Sequence, residues 1–215
     1  MIVLTVDCEA VNQYGRWCAI AVLVASYPNG HILGKLEIYT ERKQEEFDAP
    51  SLRWWAGKTE AYTYIVKRAK QDTRTDNEKE IALLRFIRQM HEKFPRLQIV
   101  SDNAGFDIKI LDVLAEKHKF PRISYRNQEG LYTHPKCAYT KKKTIETRQH
   151  PLACMIAEMF GPPQYLRPLD QPLADIPHTP LFDAQKILRE YFDAIDIEQF
   201  NKDGIVPHRF MRRVS

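Results

Sequence analysis

Ile2 to Val6 is a short apolar run that ends on Asp7, the pattern of a buried strand whose carboxyl end carries an acid. Trp17 to Ala25 is a second, longer apolar run. Tyr27-Pro-Asn-Gly30 is a turn signal, and beyond it Ile32, Gly34, Leu36 and Ile38 alternate with Leu33, Lys35, Glu37 and Tyr39 at period two. These three segments predict an antiparallel three-stranded opening. Asn77 with Glu80 three positions later has the form of a capping box, and Ile81, Leu84, Ile87, Met90 and Phe94 follow at helical spacing before Pro95. Leu97 to Val100 then predicts a short strand. Phe106 to His118 predicts a second amphipathic helix with Ile110, Leu111 and Leu114 inward. From Gly161 to Pro180 six of the thirteen prolines accumulate, which favours a stiff, extended loop. At its end Thr179 is placed to cap a helix with Pro180 in its first position, running to about Phe192. Strands, then a helix, a strand and more helices predict a mixed α/β sheet covered by helices. No internal repeat or low-complexity tract interrupts the chain.

Composition bounds this picture without changing it. At 215 residues and 44% hydrophobic content the chain suits one substantial soluble domain. Cys8, Cys18, Cys137 and Cys154 have neither Cys-x-x-Cys spacing nor a histidine at zinc-finger distance, so a structural zinc or a disulfide framework is not indicated. The start lacks a basic n-region and a cleavage site, and no apolar run approaches the ~20 residues needed to span a bilayer. The expected location is therefore cytoplasmic, with no membrane partner. The net charge of +4 hides a local excess: Lys117 to Arg148 holds nine Lys or Arg against Glu129 and Glu146. Within it Lys141, Lys142 and Lys143 are adjacent, and Tyr125, Tyr132 and Tyr139 are interleaved. Such a strip can contact phosphates and stack on unpaired bases, or it can be a solvated face over core tyrosines.

The chemistry lies in three acidic clusters in fixed order: Asp7 and Glu9 in Val-Asp-Cys-Glu-Ala, Asp107 in Asn-Ala-Gly-Phe-Asp, and His178 with Asp183 in His-Thr-Pro-Leu-Phe-Asp-Ala. Asp7 and Glu9, one residue apart on a strand, project from the same face. Asp107 falls at a strand-to-helix junction, near the positive end of the helix dipole. Asp183 sits in the first turn of the last helix, with His178 just outside it. Each cluster alone has a commoner explanation, a solvated strand end or a first-turn acid. Four carboxylates gathered in one place would repel each other unless multivalent cations neutralised them, so the conjunction predicts bound metal.

Together these clusters resemble the three motifs of the DEDD exonuclease superfamily in its histidine subgroup, DEDDh, whose proofreading-exonuclease-like fold is related to ribonuclease H. Asp7 and Glu9 match the first motif, Asp107 the Asn-x-x-Phe-Asp second motif, and His178 and Asp183 the His-x(4)-Asp third. The similarity spans Ile2 to about Phe192. It implies a ribonuclease H-like mixed sheet, antiparallel at first and then parallel, in a domain over residues 1–200, with 201–215 left as a basic C-terminal tail. It also implies two divalent cations, Mg²⁺ or Mn²⁺, held by Asp7 as the bridging ligand with Glu9, Asp107 and Asp183, and His178 as general base. The implied activity is 3'-5' hydrolysis of single-stranded RNA or DNA, or of a duplex with a 3' overhang. Ala10, Asn103 and Phe106 would touch nucleic acid. Many members carry Thr or Ser after the first-motif Glu, so Ala10 departs from the pattern. Trp54 and Trp55 in Pro-Ser-Leu-Arg-Trp-Trp resemble a Trp-Trp helix start of phage and bacterial members, including the mycobacterial-type exoribonucleases, which leans the substrate toward RNA. Histidine-type members are often homodimers. Two rivals stand beside this reading. A ribonuclease H-like endonuclease is disfavoured by the His178-to-Asp183 spacing, and a catalytically weak nucleic-acid-binding or polymerase-associated subunit by the intact acids.

Overall fold

The structure is a computed structural model and describes residues 1–123 and 176–203. The first apolar runs form β1 (Ile2–Ala10), β2 (Trp17–Ser26) and β3 (His31–Tyr39). They pair antiparallel, as the patterning predicts, with Val3 opposite Ala25 and Ala21 opposite Glu37. The β2–β3 turn contains a cis Tyr27–Pro28 peptide and Gly30 at φ 65°, a left-handed position that glycine adopts without a Cβ clash. A short β4 (Gln98–Val100) joins β1 in parallel, giving the order β3-β2-β1-β4 among the described residues. This is the antiparallel opening followed by a parallel strand expected of the fold.

Both faces of the sheet are covered, so β2 is buried along nearly its whole length and reads as a continuous apolar run. On one face Leu4, Val6, Ile20 and Val22 pack against α3 (Asp76–Lys93) and α4 (Ala104–Lys117), through Leu83, Leu84, Ile87, Ile108 and Leu111. On the other face Val3, Leu23 and Ala25 meet α5 (Pro180–Asp203). Its residues Ala184, Ile187, Leu188, Tyr191, Phe192 and Ile195 form one buried stripe at helical spacing. Further along the same face Cys18, Ala19 and Tyr39 are covered by α1 (Ala49–Ala56) and α2 (Thr59–Gln71), through Trp55, Ala61 and Ile65.

Several boundaries differ from the sequence expectation. The capping box of α3 is Thr75 with Glu78, not Asn77 with Glu80. Glu80 turns inward, where its carboxylate accepts from Trp17 Nε1 at 2.9 Å and Lys117 Nζ at 2.6 Å and hydrogen-bonds His118 Nε2 at 2.6 Å. Burial opposes its charge, but these three partners prevail and hold its carboxyl below the usual range. The second amphipathic helix starts at Ala104 rather than Phe106, and α5 continues past Phe192 to Asp203, beyond residue 200. Residues 161–175 of the predicted proline-rich loop, the basic stretch beyond Ile123 with Lys141, Lys142 and Lys143, and the tail over 204–215 lie outside the described residues.

Candidate active site

Strand parity builds the site. Val3, Thr5, Asp7 and Glu9 share the face that α5 covers, and their cross-strand partners are Ala25, Leu23, Ala21 and Ala19. Asp7 therefore sits beside Ala21, under the α5 cluster, and Glu9 beside Ala19, under the α1–α2 cluster. The two acids lie at the seam between two helical covers. There the β1–β2 register shifts between Glu9 and Ala10, an irregularity of the kind that re-aims side chains at functional sites. The start of α5 is pinned over β1 by Thr5 Oγ1, which donates to Ala184 O at 3.0 Å, so Asp183 arrives beside Asp7 and Glu9. Carboxylate oxygens of these three acids lie within 4.8 Å of one another.

Asp107 reaches the same cleft from the opposite side. β4 pairs only with Val3 to Thr5, so the rim of β1 beyond it is left for α4 to cover. There the Cys8 backbone N–H donates to Asp107 Oδ1 at 3.0 Å, and the Ser101 hydroxyl donates to Oδ2. Asp107 thus lines the cleft but stands outside the close three-acid group. Asp7 is different: its buried Oδ2 has no hydrogen-bond partner among the described residues. A buried carboxylate oxygen without a donor is costly, and an unbalanced charge in such a place is normally neutralised by a proton or a cation.

Without a cation the charges settle on protons. Burial, and then Glu9, Asp107 and Asp183, push the Asp7 carboxyl well above its ordinary range, and burial with Asp183 and Asp107 does the same to Glu9. Burial raises Asp107 to about 7, against the lowering hydrogen bond from Ser101, and raises Asp183 to about 6 against the nearby Lys186. His178 moves the other way. Slight burial and then Lys58 and Lys186 hold its imidazole below the usual value, which favours the neutral ring.

The cleft has a volume of about 720 Å³. It is lined by Asp7, Glu9, Asp107, His178 and Asp183, and also by the expected contact residues Ala10, Asn103, Phe106 and Trp54. Trp55 is not on the wall. It is buried, and its Nε1 donates to Ala10 O at 3.1 Å, anchoring α1 to the end of β1. Sequence reasoning missed Ser51, Lys186 and Glu190 on the wall, and set aside Asp102. Lys186 and Glu190 could have been found, since they follow Asp183 at i+3 and i+7 on one helix face.

The donor set fits a divalent cation: hard carboxylate oxygens, three of them close together, one buried and unpartnered. Such ligands suit Mg²⁺ or Mn²⁺, whereas zinc sites favour His and Cys in a tetrahedral set.

No protein-family model matches the sequence, and no curated protein matches it. Among solved structures, the nuclease domain of 3'hExo, a DEDDh family member, bound to rAMP, aligns over 94% of this chain and 92% of its own, with a TM-score of 0.45 and 11% identity. A full-length 3'-exonuclease aligns over 95% of this chain and 83% of its own, with a TM-score of 0.38 and 11% identity. Likeness at this level does not fix the chemistry, which rests on the side chains described above.

Proposed function

We propose that the chain is a DEDDh-type, metal-dependent 3'-5' exonuclease that hydrolyses phosphodiester bonds of single-stranded nucleic acid or of 3' overhangs, with RNA the favoured polymer. The observation that carries this reading is the group of Asp7, Glu9 and Asp183, close enough to share one ion, with a buried, unpartnered Asp7 oxygen in a cleft that also holds His178. Asp7, Glu9 and Asp183 would hold divalent cations, with Asp107 from the same cleft as a further ligand. When bound, two such cations supply the positive charge that activates water and stabilises the leaving 3' oxygen. His178, whose ring is held toward its neutral form, accepts the proton of the attacking water. Lys186 on the cleft wall offers a cation to the phosphate's anionic oxygens. Phe106 presents aromatic surface on which the terminal base can stack. The preference for RNA is supported by the resemblance of Trp54-Trp55 to exoribonuclease members.

The test is to incubate 5'-labelled single-stranded RNA and DNA with the protein and Mg²⁺ or Mn²⁺, with EDTA as control, and resolve the products. A ladder shortening from the 3' end, lost in EDTA, is expected, and faster on RNA. Internal cuts would favour an endonuclease instead, and intact substrate would leave a binding subunit.

A further inference from the structure

The general base in this reading is poorly held by its own surroundings. His178 is exposed, follows Pro177, and has a left-handed backbone at φ 60°, which a non-glycine residue adopts only when its neighbours enforce it. Among the described residues no hydrogen bond fixes its ring. Its aromatic neighbour is Trp54, edge-on with ring centroids 5.9 Å apart and an interplanar angle of 75°.

Trp54 is itself placed with unusual care for a large apolar side chain left 41% exposed. Trp55 packs at right angles to it, with centroids 4.5 Å apart, and is tied to the end of β1 through Ala10 O. Asp48 caps α1 by accepting from the Ser51 N–H and holds the Gln13 N–H as well, so the helix is fixed to the loop that follows β1. On the other flank Lys58 Nζ stands 4.1 Å from the Trp54 ring centroid, a cation–π contact. A continuous set of contacts thus runs from the strand carrying Glu9, through Trp55 and Trp54, to His178, and carries one ammonium with it.

We propose that Trp54 is the positioning residue for His178, its indole setting the orientation of the imidazole and holding the Lys58 ammonium on the same flank of the cleft. The inference rests on the reading of His178 as proton acceptor. The charged groups that line the cleft with that ring are Lys186 and Glu190 from α5 and the acids Asp7, Glu9, Asp102, Asp107 and Asp183, and Lys58 from the α1–α2 junction acts on it as well. Burial, and then Lys58 and Lys186, favour the neutral ring. Removing Trp54 frees Lys58 and opens the covered edge of the ring to water, and both changes move His178 in the same direction, upward.

The experiment compares the wild-type protein with Trp54→Ala and Trp54→Phe. In histidine-ring ¹H–¹³C spectra of the metal-free protein, with His178 assigned by the signal lost in His178→Asn, Trp54→Ala should shift the His178 resonances and raise their titration midpoint toward the ordinary ~6.5. In turnover with Mn²⁺ at neutral pH, kcat should fall about ten- to a hundredfold with KM little changed. Trp54→Phe, which keeps an aromatic edge, should restore much of both. An unchanged His178 titration in Trp54→Ala would overturn the proposal, as would unchanged kcat. A raised KM at unchanged kcat would make Trp54 a base-stacking surface instead. If the wild-type protein hydrolyses nothing, the exonuclease reading falls, while the spectra still decide whether Trp54 governs the state of His178.

Discussion

At Asp7 the fold leaves a buried carboxylate oxygen without a donor, in a place where burial and the acids Glu9, Asp107 and Asp183 raise its affinity for a proton. A residue serving only the stability of the metal-free chain would not be kept in that state, because an amide of the same shape removes the charge. Asp7→Asn should therefore raise the melting temperature of the metal-free protein above that of wild type at pH 8. The same change should abolish hydrolysis and the stabilisation that Mn²⁺ gives the wild-type chain. Differential scanning calorimetry with and without Mn²⁺ checks both signs; a variant less stable than wild type in EDTA would mean that Asp7 is structural. The placement of Asp7 and Glu9 on one face was legible in the sequence, since strand parity alone requires it. The restraint on Asp107 was not: it depends on the Ser101 hydroxyl and on the Cys8 amide left over by the short β4, neither of which has a sequence signature.

Among the elements, the apolar runs of β1 and β2 and the alternation of β3 were readable because each strand's burial follows its pattern directly. The start of α3 was harder. Thr-Asp-Asn-Glu-Lys-Glu offers two overlapping capping boxes, Thr75 with Glu78 and Asn77 with Glu80, and local chemistry does not choose between them. The choice is tertiary: Glu80 is needed inside to receive Trp17, Lys117 and His118, so the cap falls two residues earlier. Thr75→Ala should cost about 1 kcal/mol, whereas Asn77→Ala should stay within about 0.5 kcal/mol of wild type. Urea unfolding monitored by circular dichroism distinguishes them, and a reversed order would contradict the assignment. α2 has no clear signature in the sequence. Its buried stripe is Ala61, Ile65 and Ala69, two of them small, and its N-cap Lys58 makes no side-chain cap, so neither periodicity nor a start signal stands out. That helix matters to the site nonetheless, because with α1 it forms the cover whose edge bears Trp54 and Lys58.

For the whole molecule, the acid cluster and the structural carboxylates impose opposite dependences on pH. Glu80 and Asp76 have carboxyls held below their usual values despite partial burial, Asp76 chiefly through Thr40 and Arg42. The stability they provide is present above the unfolded value near 4 and is lost as pH falls below it. Asp107 at about 7, Asp183 at about 6, and Asp7 and Glu9, both well above their usual values, retain protons in the folded chain that the unfolded chain has already released. Between pH ~4 and ~7 the folded state therefore binds more protons than the unfolded state, and stability declines as pH rises through that window. The metal-free protein should be most stable near pH ~5 and should lose several degrees of melting temperature, roughly 5–10 °C, by pH ~8. A divalent cation in the cleft replaces those protons, so millimolar Mg²⁺ or Mn²⁺ should recover most of the loss at pH ~8 and have little effect at pH ~5, where protons compete for the same oxygens. Melting curves across pH in EDTA and in Mn²⁺ test this directly. A metal-free chain whose melting temperature rises steadily to pH ~8, or a cation effect equal at both ends, would mean that the three acids do not share an ion. The expected crossing of the two curves is instead the signature of a fold that bears an unfavourable charge cluster at one seam of its sheet, held until a metal arrives to neutralise it.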